Sequence, residues 1–448
     1  MNQLEPLPAY RFSPWRWWVC ILLLLASTLN YMDRLTLNQT AVRIKAAFAI
    51  DDFQYSLLES VFSLAFGIGT LTLGYVVDRV GVRIVYPIAV FGWSMFGLLT
   101  GFAPGFWVLL LCRFGLGLFE AGNWPCGIRT TREVMPPEER SLGNSLFQSG
   151  TALGAIITPL IVLWAIQWAD PWESSRAATA TVTGTAILGG EFLAHADSWR
   201  IPFIVIGLFG IGWVLLWAFT VPRPILGSES VLTATTASPL EVSPFTAVVK
   251  DRRFWVLVAV IIGVNTSWHT FRAWLPLFLQ QQQGYSFPEM TAFMTWYYII
   301  AELGGWSVGL GTLVLVWAGL GLHTSRVVTF AICTAIVLSA LALPIVDSAA
   351  IRTAILLTFG FGAFGLFPTY FTLSQELSAR HQGKVTGTLG FINAIYLAGL
   401  YPVEGYVAKL SGTYDPFLAL CGLPALFALL MILLFWRSPN SRQEPSPG

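Results

Sequence analysis

Twelve apolar runs, each about 20 residues long, constrain this chain more than any other feature, because that is the length of helix that spans a bilayer's hydrocarbon core. They fall near residues 15–37, 55–77, 83–103, 106–130, 141–167, 200–221, 253–282, 289–317, 326–344, 350–377, 384–410 and 415–436. In lipid each backbone amide and carbonyl must be satisfied within its own segment, so the expected fold is an all-α polytopic membrane protein with twelve transmembrane helices. Composition agrees: 11% of the 448 residues are charged and 55% are hydrophobic, whereas soluble domains carry about 25% charged residues. A net charge of +1 without a basic cluster gives no footprint for nucleic acid. Cys20, Cys112, Cys126, Cys333 and Cys421 stand singly in apolar runs, without CxxC or metal-ligand spacing. They read as small buried hydrophobes, and neither a metal nor a cofactor is expected. The first run, preceded by Arg11 and Arg16, imitates a signal peptide, but no small-residue cleavage site follows and it reads as a retained helix.

Basic residues set the expected orientation. With both termini in the cytoplasm, sixteen of the 25 Lys and Arg fall on the inner side and six on the outer; Arg34, Arg113 and Arg272 lie within spans. The Pro, Ser and Thr rich stretch from Val221 to Lys250 separates six helices from six. The expected domains are therefore an N-terminal six-helix bundle (1–221), a cytoplasmic linker (222–251), and a C-terminal six-helix bundle with a short cytoplasmic tail (252–448). Residues 168–199 form an outer insertion within the first, read as a tolerated loop rather than a substrate lid. The halves resemble one another: "FGLGLF" from Phe114 recurs as "FGFGAF" from Phe359, and one offset pairs Arg140 with Lys384, Gly143 with Gly387, Phe147 with Phe391 and Leu153 with Leu397. Parallel six-helix repeats leave such traces, and two like bundles around a central path make an alternating-access architecture.

Charge inside the spans is the chemistry-bearing signal. Asp33 and Arg34 interrupt the first run in "LNYMDRLTL", although an intramembrane charge costs about 2.5–3.5 kcal/mol even on lenient insertion scales. Arg113 and Glu120, seven apart in "CRFGLGLFEAGNWP", share one face of helix four. Their repeat counterparts, Thr358 and Gly365, are uncharged, so the charge belongs to one half and reflects function rather than the needs of a repeat. Ion pairs that merely tie helices together are the blander alternative, but a buried pair is weak evidence for stability. Two arginines and two acids point to an anionic substrate and a proton. Glycines 304, 305, 309 and 311 in the eighth run suit close helix packing.

"GYVVDRVGVR", from Gly74 to Arg83, follows helix two. Gly74 there permits close helix approach, Asp78 can cap or pair, and Arg79 and Arg83 hold the inner interface. It resembles the G-x-x-x-D-R-x-G-x-R signature of the major facilitator superfamily, which implies the major facilitator fold and, for Gly74, Asp78, Arg79, Gly81 and Arg83, a gating role. The corresponding stretch after helix eight, "AGLGLHTSR", lacks the acid. "NYMDR", "RFGLGLFEAGNWP", "ERSLGNSLFQSGTALGAIITPL", "WHTFRAWLPLFL" and "TGTLGFINAIYLAG" together resemble the anion:cation symporter family, and within it bacterial hexuronate and other sugar-acid transporters. The resemblance implies that Arg34 and Arg113 hold the substrate carboxylate and that Asp33 and Glu120 act in proton coupling. It implies polar sugar contacts at or near Tyr31, Thr151 and Asn393, and an aromatic contact at Trp268.

Arg272 departs from the pattern, since hexuronate-type sequences tend to carry Asn there and vesicular glutamate transporters an Arg nearby. It is either a third cation for a dicarboxylate or a residue that snorkels or pairs, for example with Glu302. Glu302 is in turn a second proton site or a structural partner. His269 shares the face of Arg272, and Glu404 reads as a solvated acid near the outer end of helix eleven. The function expected is import of an organic anion, a hexuronate or related sugar acid, by proton symport across the inner membrane. A facilitator or exchanger of other carboxylates, and a non-transporting receptor, are the alternatives. No HExxH or Walker A loop is present, so no enzyme is expected. The expected partners are the anion, the proton and the lipid bilayer, with the chain acting as a monomer.

Overall fold

The computed structural model describes residues 15–135, 140–183, 198–221, 245–377 and 382–436. Most of the linker, the middle of the outer insertion and the C-terminal tail lie outside these, as does the side chain of Asp78. Regular structure among the described residues is entirely helical. The first helices are α1 (Trp15–Gln39), α2 (Ala41–Phe48), α3 (Asp52–Val80), α4 (Val82–Thr100), α5 (Phe106–Glu120), α6 (Asn123–Val134), α7 (Arg140–Thr183) and α8 (Arg200–Thr220). Then follow α9 (Phe245–Lys250), α10 (Arg252–Leu277), α11 (Phe287–Trp317), α12 (Leu322–Val337), α13 (Ala349–Gly365), α14 (Phe367–Leu377), α15 (Gln382–Ser411), α16 (Asp415–Leu420) and α17 (Leu423–Phe435). Eleven helices among the described residues are long and apolar enough to cross a membrane. The other expected span is α15, a continuous 30-residue helix made less apolar by Asn393, Glu404 and its glycines. Large apolar side chains face outward, Phe219 being 85% and Trp317 81% exposed, as lipid rather than water requires.

Two compact units are present. One comprises the helices up to α8 together with Pro276–Thr295 and Ala398–Gly405; the other comprises Leu240–Leu275, Trp296–Leu397 and Tyr406 onward. In the first, α1 lies against α7, α3 against α5, and α4 against α5 and α8. Glycine sets these approaches. A Cβ at Gly150 or Gly154 of α7 would overlap the carbonyl oxygens of Leu24 and Thr28 on α1, and one at Gly117 of α5 would overlap that of Phe62 on α3. Changing Gly117 to Ala forces α3 away from α5. Overpacking of this kind costs about 1–3 kcal/mol, so we expect a fall of several degrees in the thermal midpoint of the detergent-purified protein, read by intrinsic tryptophan fluorescence.

α3 begins in a capping box: Asp51 accepts from the Gln54 amide at 2.8 Å, and Gln54 accepts from the Asp51 amide at 3.1 Å. It therefore starts a turn earlier than its apolar run. α8 is tied to the unit by indoles, whose apolar bodies bury while their N–H groups find acceptors: Trp213 donates to the Leu22 carbonyl at 2.8 Å, and Trp15 and Trp18 donate to Thr220. α7 continues through the start of the outer insertion to Thr183, so the insertion is not simply a loop.

In the second unit, Phe271 stacks on Phe359 with ring centroids 3.7 Å apart, and Ser267 donates to the Cys421 carbonyl at 3.0 Å. The glycines of α11 divide: Gly304 and Gly305 pack against Phe361 and Phe364, whereas among the described residues nothing comes within 4 Å of a Cβ at Gly309 and Thr329 alone does at Gly311. Pro276 withholds the amide that would have bonded to the Arg272 carbonyl, and a π turn, Phe278–Gln282, follows at once.

Candidate functional site

The charged residues of the first unit meet where α1, α3 and α5 come together. Gly117 draws α5 onto α3 at Phe62, and because these helices run the same way, Arg113 and Glu59, each a turn back, come level. The Arg113 Nη2 lies 3.5 Å from Glu59 Oε1, and both side chains are fully buried. The same carboxylate oxygen accepts from Asn38 Nδ2 of α1 at 2.9 Å, and that amide also reaches the Tyr55 hydroxyl at 3.0 Å. Arg34 of α1 donates from Nε at 3.2 Å and from Nη2 at 2.9 Å to one oxygen, Oε2, of buried Glu120. Helix four breaks just beyond Glu120, at Ala121–Gly122, before α6 begins.

Between the two pairs stands the Phe62 ring, with the Arg34 and Arg113 guanidinium carbons 5.1 and 4.7 Å from its centroid. Arg34 also lies 4.9 Å from the Phe66 centroid and 5.8 Å from that of Tyr31. Aromatic faces attract cations without competing for their N–H donors. Two guanidinium groups a ring apart, each paired with a carboxylate, carry the donor forks that can bind another carboxylate by charge-assisted hydrogen bonds.

The pairing differs from the simplest reading of the sequence, in which the acid and arginine of one helix serve each other. Glu120 partners Arg34 across helices, and Arg113 is met by Glu59, an acid that lies in none of the sequence motifs. Asp33 stands apart. Its carboxylate is buried, a Cβ at Gly97 of α4 would come within 2.7 Å of Oδ1, and neither oxygen accepts a hydrogen bond among the described residues. Thr151 donates its hydroxyl to the Gln148 carbonyl a turn earlier on its own helix, at 2.8 Å.

Trp268, Arg272, Asn393 and Glu302 belong to the second unit. Trp268 is buried among Tyr297, Tyr298, Phe364 and Phe367, the nearest ring centroid being that of Phe364 at 4.9 Å. Arg272 is buried and its Nε donates to His269 Nδ1 at 3.2 Å, which puts the two on one face as their spacing requires. Asn393 is half-buried, with no hydrogen bond to its side-chain oxygen among the described residues, and Glu302 is half-buried on α11.

Two expectations about helix ends need correction. Glu404 is buried rather than solvated, because Ala398–Gly405 packs on α3: Ser60 donates to the Ala398 carbonyl at 2.5 Å and Gly405 meets Ser56. Gly74 has open space within 4 Å among the described residues, so it does not mediate a close helix contact. Gly81 holds φ at +91°, in the region that favours glycine, and so makes the turn between α3 and α4. Arg79 covers the Tyr75 ring at 4.2 Å, and Arg129 of α6 donates to the Val77 carbonyl at 2.5 Å, tying α6 to the end of α3.

Residues 23–400 match the Major Facilitator Superfamily. The chain belongs to that family. It is accordingly a multi-pass membrane transporter and not an enzyme. It is 25% identical over 437 residues to the hexuronate transporter of Escherichia coli, covering 94% of this chain and 93% of that one. It is 24% identical over 362 residues to the galacturonate transporter of Dickeya chrysanthemi, covering 72% and 96% respectively. The fold is similar to that of a bacterial homologue of the human lysosomal transporter Spinster in an inward-facing, unoccupied conformation. The TM-score is 0.76 at 19% identity, over 95% of this chain and 99% of that one.

Proposed function

We propose that this transporter imports a hexuronate or related sugar-acid anion across the inner membrane, with protons, as a monomer whose termini are both cytoplasmic. Two six-helix bundles, residues 1–221 and 252–448, joined by the linker 222–251, alternate access to a substrate path, and the Gly74–Arg83 turn, through Asp78, Arg79, Gly81 and Arg83, acts as a gate. Arg34 and Arg113 hold the carboxylate. Tyr31, Thr151 and Asn393 meet the sugar hydroxyls, Trp268 offers an aromatic face, and Asp33 and Glu120, with Glu302 as a further acid, carry protons. The observation that supports this reading is the buried cluster in which Arg34 is held by Glu120, with Arg113 across the same phenyl ring. An acid that gains a proton gives up its hold on an arginine, and the arginine then turns to the anion. Proton and anion therefore favour one another's binding, which is the thermodynamic condition for symport.

The test is uptake of D-galacturonate and D-glucuronate by proteoliposomes under an inwardly directed proton gradient. Accumulation that collapses with a protonophore is the expected result. Uptake indifferent to the protonophore would favour a facilitator or exchanger, and binding without uptake a receptor.

Arg272 favours a second reading of the substrate class. Its buried guanidinium, with Nε on His269 Nδ1, is a third cation within the spans, which fits the second carboxylate of an aldarate. We expect Arg272→Asn to lower uptake of galactarate relative to galacturonate by about tenfold, the size of one lost charge-assisted hydrogen bond. An unchanged ratio would make Arg272 structural.

A further inference from the structure

α1, α3 and α5 carry three buried carboxyls, Asp33, Glu59 and Glu120, against two guanidinium groups, Arg34 and Arg113. Asp33 and Glu120 carry protons in the reading above, and Glu59 is the third acid. It is fully buried two turns inside α3, in contact with the arginine assigned to the substrate, and its Oε1 is held in place by Asn38. A carboxylate kept there only to bind helices together would be a poor use of a buried charge, because replacing a buried pair by apolar residues is often neutral or stabilising.

We propose that Glu59 is the resting counter-ion of Arg113, that the substrate carboxylate displaces it, and that Glu59 takes up a proton in each transport cycle. This rests on the anion-transport reading above. When the anion arrives, Arg113 exchanges one carboxylate for another, and Glu59, buried without its cation, binds a proton drawn from the outer solution. When the anion leaves inward, the proton leaves to the inner solution and the Arg113–Glu59 pair reforms. No bond other than that to the proton is made or broken.

The charge count gives this a measurable consequence. With all three acids ionised and two arginines, the cluster carries one negative charge, and a bound monoanion makes it two. Two protons are then needed for a neutral loaded site, so each turnover carries one net positive charge inward. Without the Glu59 carboxyl only one proton is needed, and transport becomes electroneutral. Facing Glu59 are Arg113 of α5 and, across Phe62, Arg34 of α1, which in turn holds Glu120. Tyr55 lies a turn back on α3, Asp33 faces α4, and Glu404 is on the stretch of α15 that meets Ser56. None of these is removed by changing Glu59.

The experiment uses the full chain in proteoliposomes with D-galacturonate as probe and a fixed proton gradient, with and without an inside-negative potassium diffusion potential. In the native protein the potential is expected to raise the initial rate about tenfold, within the usual range for coupled binding. In Glu59→Gln the ratio of rates with and without the potential is expected to fall to about one, while Glu59→Asp keeps most of the native ratio. A Glu59→Gln protein that responds like the native one, or a native protein indifferent to potential, overturns the proposal.

A second arm needs no substrate. Arg113→Met should lower the thermal midpoint of the purified protein at alkaline pH by stranding Glu59. Adding Glu59→Gln should restore much of the loss, and adding Glu120→Gln should not. Absence of that selective rescue overturns the counter-ion pair whatever the transport result. If the native protein takes up none of a panel of hexuronates, aldonates and aldarates, the functional reading fails and the coupling fails with it, and the rescue then judges the pair alone.

Discussion

Replacing Arg113 with Met abolishes uptake and binding of the anion, with a loss of at least about 100-fold in apparent affinity. Removing one partner of a buried charge pair costs about 3–5 kcal/mol, and each 1.4 kcal/mol is a factor of ten. Arg113 is fully buried on α5, with Phe62 beneath its guanidinium and Glu59 at 3.5 Å. The variant removes the charge and the planar donor fork together, and it leaves Glu59 in place to repel an arriving carboxylate. Lys at this position keeps the charge but not the fork, and an intermediate defect is expected of it. The measurements are titration of the purified protein with D-galacturonate by calorimetry and uptake in proteoliposomes. The Arg113→Met, Glu59→Gln double variant serves as the control for folding. It should recover thermal stability without recovering binding, which separates loss of the site from loss of the fold. Near-native affinity in either variant would remove Arg113 from the carboxylate site.

How far the site was legible in the sequence depended on whether a residue's role lay within its own helix or across to another. Periodicity and apolar length place the spans, Arg113 and Glu120 announce themselves as charges well inside one, and Arg34 stands beside Asp33 within another. Periodicity also puts His269 and Arg272 on one face, where the structure joins them. Partner choice is a different matter, because it depends on how close two helices come. The decisive contact, Gly117 against the Phe62 carbonyl, leaves no trace in either helix alone.

Glu59 was missed for a boundary reason. An apolar run that begins at residue 55 leaves Glu59 a single turn from the helix start, where an acid reads as solvated. The Asp51–Gln54 capping box begins the helix at Asp52, and the box was the available signal. Glu404 failed similarly, since nothing local reveals that Ala398–Gly405 is covered by α3. Gly74 erred the other way: it matches the family signature, yet no described neighbour comes close.

Glu120→Gln should remove one of the coupled protons without stopping transport. Gln has nearly the shape of a protonated glutamate and carries no charge, so the variant holds the site permanently in the state that the proton otherwise creates. Arg34, which now gives both Nε and Nη2 to a single Glu120 oxygen, would face a neutral amide and remain available to the anion. Exchange of labelled for unlabelled D-galacturonate needs only the loaded carrier to reorient, and we expect it to stay within about threefold of native. Net accumulation needs the carrier to release its proton and return empty, and at this position the variant has none to release. By linkage, an acid that no longer titrates contributes nothing to the coupling between proton and anion. We therefore expect accumulation against a gradient to fall by about tenfold or more, and half-saturation to depend less on external pH. Undiminished accumulation would assign the coupling to the remaining acids, Asp33 without a hydrogen-bond donor among the described residues and Glu59 with Arg113. Those two differ in whether protonation frees an arginine, so the pH dependence of binding in Asp33→Asn and Glu59→Gln would then identify the site.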